Sequence, residues 1–213
     1  MRNFSVVETL ICEIDSALRT LAPPGKRPSQ RVSPSQNLEE SRLNSEERRH
    51  VAGLMRVNHS GEVCAQALYQ GQGLTAQLAE VKVQMDEAAA EEIDHLAWCE
   101  QRLLELGSQP SLLNPFWYLG SFMLGALAGI AGDRLSLGFV AETELQVSAH
   151  LQKHLQKLPA QDKKSKAILE QMHEDEAHHA EVAKEAGATE LPLIIKKLMQ
   201  GVSKLMTHSS YHI

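Results

Sequence analysis

Aromatic residues make up only 4% of the 213 residues, and β-branched runs are scarce. Leu, Ala, Glu, Gln and Lys dominate instead, which disfavours a sheet protein and favours helices. Cys12, Cys64 and Cys99 are an odd set with no C-x-x-C spacing, so a disulfide framework is not expected and a reducing compartment fits. The chain also lacks a long Lys/Arg block, and its formal net charge is −6. A nucleic-acid partner is therefore not expected, since such proteins present a basic face. Near the N-terminus, Glu8, Glu13 and Asp15 stand where an export signal needs an apolar core. What remains is 43% hydrophobic and 23% charged, ordinary for one soluble globular domain.

Helical periodicity organises the chain. Val7, Leu10, Ile11, Ile14, Leu18 and Leu21 give an amphipathic helix over residues 4–21. A linker follows, marked by Pro23, Pro24, Gly25, Pro28 and Pro34. Asn44, with Glu47 three residues on, reads as a capping box that opens a first bundle helix over 45–70. Gly71, Gly73 and Thr75 interrupt that pattern, and a second helix is expected over 76–106. From Leu106 to Gly132 no residue is charged. A third helix over 133–158 stops at Pro159, and a fourth over 163–186 stops at Gly187. A last amphipathic helix covers 191–206. The pattern is all-α: two helical hairpins joined by a long crossover, as in a ferritin-like four-helix bundle, with extra helices at both ends.

The di-metal site of such bundles takes a lone Glu from two helices and Glu-x-x-His from the other two. In chain order the sequence has Glu62, then Glu92 with His95, then Glu144, then Glu176 with His179. The i, i+3 spacing puts each Glu and His pair on one helix face. Glu-x-x-His alone is a weak motif, because 21 Glu and 10 His in 213 residues give about one match by chance. Spacing adds weight. Glu62 and Glu92 are centred on position 77, and Glu144 and Glu176 on position 160. Both midpoints fall beside expected turns, so each pair should sit at one height across an antiparallel hairpin. Four buried carboxylates need compensating charge, which two divalent ions supply. Carboxylate and imidazole donors suit iron or manganese, and no thiolate is placed for zinc. Glu142 is an alternative to Glu144. His150, His173 and His178 are expected in the surroundings of the site or on the surface. Glu47 with His50 is read as a cap and a polar first turn, outside the ligand order.

Gly71-Gln72-Gly73-Leu74-Thr75-Ala76 matches a loose dinucleotide fingerprint, but that motif requires a strand before it, and here it separates helices. Any reductant must therefore bind elsewhere. The uncharged stretch holds Phe116, Trp117, Leu119, Phe122, Met123, Leu124 and Leu127. Pro115 leaves it too short to span a bilayer. A helix against the membrane surface and a buried crossover both fit. The last helix pairs Leu193, Ile194, Leu198, Val202, Leu205 and Met206 with Lys196, Lys197 and Lys204, a pattern of interfacial helices.

From about Arg48 to its C-terminus the sequence resembles the demethoxyubiquinone hydroxylase family of ubiquinone biosynthesis, a membrane-associated branch of the ferritin-like di-iron proteins. The resemblance rests on Met55-Arg56-Val57-Asn58-His59-Ser60-Gly61-Glu62, on Tyr69-Gln70-Gly71-Gln72, on residues 92–96 and 174–180, and on Asn114-Pro115. The N-terminal helix and linker over 1–43 lie outside it and their role is open, while residues 44–213 are expected to form the di-iron hydroxylase domain. The resemblance implies that Glu62, Glu92, His95, Glu144, Glu176 and His179 hold two iron ions, with Glu92 and Glu176 as bridges. The implied reaction inserts one atom of O2 into a ring C–H of 2-polyprenyl-3-methyl-6-methoxy-1,4-benzoquinol, with an external reductant such as NADH or a reduced quinol. The implied location is peripheral, at the cytoplasmic face of the bacterial inner membrane. A homo-oligomer and a ubiquinone-biosynthesis protein complex are compatible with it. An iron-storage or peroxide-scavenging bundle is the alternative, and a tRNA-directed di-iron monooxygenase is disfavoured by the acidic balance.

Overall fold

Helix starts and stops follow local chemistry. The computed structural model describes residues 5–23 and 25–213; Phe4, expected in the first helix, and Pro24 of the linker lie outside the described residues. Among the described residues there are seven helices and no strand: α1 (Val6–Leu21), α2 (Ser45–Thr75), α3 (Ala79–Glu105), α4 (Asn114–Ile130), α5 (Asp133–Leu155), α6 (Lys163–Glu185) and α7 (Leu193–His212). Asn44 caps α2 as expected. Its side chain accepts from the N–H groups of Glu46 and Glu47, and the Glu47 carboxylate accepts from the Asn44 N–H at 2.9 Å. Helix α6 ends as expected at Gly187, whose φ of +97° is open to glycine. There the Ala188 N–H reaches back to the Ala183 carbonyl at 3.2 Å.

The break expected at Gly71–Thr75 does not occur, because α2 stays helical to Thr75. Gly71 serves packing instead. A side chain on Gly71 would run into the backbone of Phe122 and Ala126, and one on Gly125 into the Leu68 carbonyl. Helices α2 and α4 therefore cross almost backbone to backbone. The turn lies at residues 76–78, where the Asp133 carboxylate accepts from the N–H groups of Gln77 and Leu78 at 3.0 and 2.8 Å. These donors near the start of α3 have no partner within the helix.

Helices α2 and α3 form one hairpin and α5 and α6 the other; α4 is the crossover, packed along α2. Two of three apolar clusters lie along the bundle on either side of its centre. One contains Met55, Trp98, Leu103, Leu151, Leu169 and Met172. The other contains Ala65, Tyr69, Met85, Val140, Ala141 and Ala183. On each of the four helices the two clusters bracket one Glu: Glu62, Glu92, Glu144 or Glu176. The polar site is thus sealed at both ends by hydrocarbon.

Helix α1 packs on α2 and α4. The linker after it runs as a strap along the bundle. Arg27, 5% exposed, donates to Glu100 at 2.8 Å, and Glu40 receives the buried Arg102 guanidinium at 2.6 Å. No described helix is long and apolar enough to cross a membrane.

Candidate metal centre

Two groups of side chains converge at the centre of the bundle: Glu62, Glu92, His95 and Glu176, and Glu92, Glu144, Glu176 and His179. Within each group the ligand atoms lie within 4.8 Å of one another. Glu92 and Glu176 belong to both. None of the six residues is more than 8% exposed, so they are not ordinary surface charges of helices. Glu142 points elsewhere, to Lys196 on α7 at 3.2 Å. Glu144 is the acid that enters the cluster, where it accepts a hydrogen bond from the Tyr69 hydroxyl.

Both imidazoles have the same orientation. His95 Nδ1 lies 3.0 Å from Glu92, 3.2 Å from Glu176 and 3.6 Å from Glu62. His179 Nδ1 lies 3.4 Å from Glu92 and 3.5 Å from Glu176. The outer nitrogens meet other carboxylates: His95 Nε2 lies 2.8 Å from Asp175, and His179 Nε2 lies 2.6 Å from Glu91. An outer N–H held by a carboxylate fixes the ring so that Nδ1 presents its lone pair inward. The arrangement is reciprocal, since Asp175 on α6 serves the histidine of α3 and Glu91 on α3 serves the histidine of α6.

The electrostatics of the cluster call for cations. Burial, and next the charge of Glu92, hold Glu62 well above the usual carboxylate range. Burial and the charge of Glu176 do the same to Glu144. Glu92 Oε1, Glu144 Oε2, both Glu176 carboxylate oxygens and His179 Nδ1 are buried and make no hydrogen bond. Buried polar atoms without partners are costly, and metal ligation is the way this donor set would satisfy them. The residues present therefore fit a metal centre of oxygen and imidazole character.

A mostly apolar cavity of about 490 Å³ reaches this cluster. Its walls come from α2, α4, α5 and α7, including Leu68, Trp117, Leu124, Phe139 and Leu198, and Glu62 lies among its lining. The outer faces of the flanking helices are apolar too. Phe116, Leu119, Leu127 and Ile130 of α4 and Ile194, Leu198 and Leu205 of α7 are exposed.

The sequence matches the family described as "Ubiquinone biosynthesis protein COQ7" over residues 49–210. The chain belongs to this family. Proteins named 3-demethoxyubiquinol 3-hydroxylase are similar to it over the whole of both chains: 67% identical in Legionella pneumophila strain Paris and 60% in Acinetobacter baumannii strain ATCC 17978. Residues outside the cluster have visible work too. His59 and Asn114 belong to a polar chain that runs from Ser60 through Asn114 and His59 to Glu100 and Arg27, in steps of 2.7 to 3.2 Å. It pins the start of α4 to α2 and the strap.

The remaining histidines stay outside the metal cluster. His150 lines the cavity, His178 is exposed and His173 is half-buried. Two further Glu-x-x-His runs also stay out: His50 bonds the Tyr211 hydroxyl at 2.7 Å, and Glu170, three residues before His173, is exposed and pairs with Lys166 at 3.6 Å. Sequence reasoning missed Asp175, Glu91, Tyr69 and Arg31. One signal for the first two was present: each Glu-x-x-His of the site is directly preceded by a second acid, Glu91 or Asp175.

Proposed function

We propose that this chain is a di-iron monooxygenase that hydroxylates a polyprenylated 3-demethoxyubiquinol, the activity named in its full-length relatives. The observation that carries the reading is the buried cluster in which Glu92 and Glu176 belong to both ligand groups. In this reading Glu62, Glu92, His95 and Glu176 would hold one iron and Glu92, Glu144, Glu176 and His179 the other, with Glu92 and Glu176 common to both. The irons, when bound, supply O2 activation and pass on electrons from an external reductant such as NADH or a reduced quinol. One oxygen atom enters the ring C–H bond, and the other leaves as water with two electrons and two protons.

The chain's own residues supply binding and exclusion of water. The cavity beside Glu62 is lined mostly by hydrocarbon and suits a quinol ring with a prenyl tail. Its α4 and α7 walls carry exposed Leu, Phe and Ile outward. Substrate that lives in a bilayer would enter between these helices while the protein lies at the cytoplasmic face of the inner membrane. An iron-storage or peroxide-scavenging bundle has no use for this cavity or for the apolar outer face, which favours the hydroxylase. Quinone analysis of cells lacking the protein tests the substrate. The expected result is build-up of the demethoxy quinone, restored to ubiquinone by the wild-type gene and not by Glu176→Ala. Normal ubiquinone in the deletion strain would refute it.

A further inference from the structure

The two outer carboxylates differ in one respect. Glu91, which holds His179, is 54% exposed, and among the described residues no Lys or Arg pairs with it. Asp175, which holds His95, is 14% exposed and bonds Arg31 of the N-terminal strap at 2.8 Å. The same guanidinium bonds Asp94 at 2.9 Å and lies 4.9 Å over the ring of Trp98. The N–H groups of Gln30 and Arg31 also donate to Asp94, at 2.7 and 3.2 Å. Asp94, itself buried, directly precedes His95. The strap is thus fastened to α3 and α6, two of the three helices that present the His95 half of the cluster.

We propose that Arg31 is a positioning residue for the metal centre. It locks Asp175 against Nε2 of His95 and makes the His95 half of the centre tighter than an uncapped half would be. A carboxylate shared by an imidazole N–H and a guanidinium has few orientations left, so the imidazole it holds is fixed before metal arrives. The His179 half has only the exposed Glu91 for this purpose. The N-terminal strap, which lies outside the family match over 49–210, thereby acts on one iron and not the other. This inference rests on the di-iron reading above.

The test uses the full-length protein loaded anaerobically with ferrous iron and challenged with a graded chelator, with released iron counted per chain. A ⁵⁷Fe Mössbauer spectrum of each sample reports the two sites separately. In Arg31→Gln one of the two irons is expected to release about 10–100-fold more readily, the range for loss of a ligand's outer partner. The other iron keeps its wild-type release, and only one quadrupole doublet shifts. Arg31→Lys restores part of the difference, because a charge stays on Asp175 while the fork geometry is lost. Glu91→Gln loosens the opposite iron. Glu40→Gln unfastens the strap at Arg102 without touching Asp175 and leaves both irons as in wild type. Unchanged release in Arg31→Gln overturns the inference, as does equal loosening of both irons or the same defect in Glu40→Gln. A wild-type chain that takes up fewer than two irons overturns the di-iron reading and this inference with it.

Discussion

Glu176 is the residue with most at stake, since its carboxylate faces both histidines and belongs to both ligand groups. Glu176→Ala is expected to abolish iron uptake and hydroxylation while circular dichroism shows near-wild-type helicity. Iron retained at two per chain would contradict its role. Tyr69 acts through Glu144. Tyr69→Phe removes the hydrogen bond that orients this acid, so iron affinity should fall about 10–100-fold, read by chelator competition. A further prediction concerns pH. Burial, then the charges of Lys157 and Lys153, lower His150 to about 4 from its ordinary 6.5. Its neutral form is the folded form, so the stability it contributes is full above pH 6.5 and is lost as pH falls toward 4. The Tm should decline across that window, less steeply in His150→Gln. Five of the six central residues were legible in the sequence from helical spacing and hairpin symmetry, whereas Glu144 was separated from Glu142 only by the family resemblance. Arg31 was not legible, because its partners sit on other elements, and Asp175 and Glu91 were marked only by standing directly before the two Glu-x-x-His runs.

Among the elements, α4 depends most on missing side chains. Gly125→Ala should push α4 off the Leu68 carbonyl of α2 and cost about 1–3 kcal/mol as overpacking. Thermal melting of the metal-free protein should then fall by several degrees; an unchanged Tm would show that the crossing is loose. This contact also explains where the sequence misled. Gly71 and Gly73 resemble a break when only local propensity is weighed, yet at Gly71 a neighbouring helix backbone fills the space that a side chain would take. The caps at Asn44 and Gly187 were legible because capping is local chemistry. The last helix runs on to His212, past the expected end at 206. It is held there partly by Tyr211, whose carbonyl accepts from Arg56 at 2.8 Å.

For the whole molecule, the apolar cavity meets the polar centre at Glu62, and the α4 and α7 helices that wall it also carry the exposed apolar faces. Vesicles of anionic phospholipid should bind the wild-type protein in flotation assays, helped by Lys197 and Lys204 of α7. The pair Leu119→Glu with Leu198→Glu should abolish flotation without changing iron content; undiminished binding would remove these helices from the membrane contact. The sequence left open whether the apolar crossover is buried or faces lipid. One face of α4 packs tightly on α2, and the other exposes Phe116, Leu119, Met123 and Ile130. A one-dimensional pattern without charges cannot distinguish the two faces. The most direct measurement is a single turnover of the iron-loaded, chemically reduced protein with a demethoxy-quinol under ¹⁸O2, followed by mass spectrometry of the quinol. One ¹⁸O atom is expected in each product molecule, with a yield that rises with iron up to two per chain. Product without ¹⁸O, or a yield independent of iron, would contradict the di-iron monooxygenase reading.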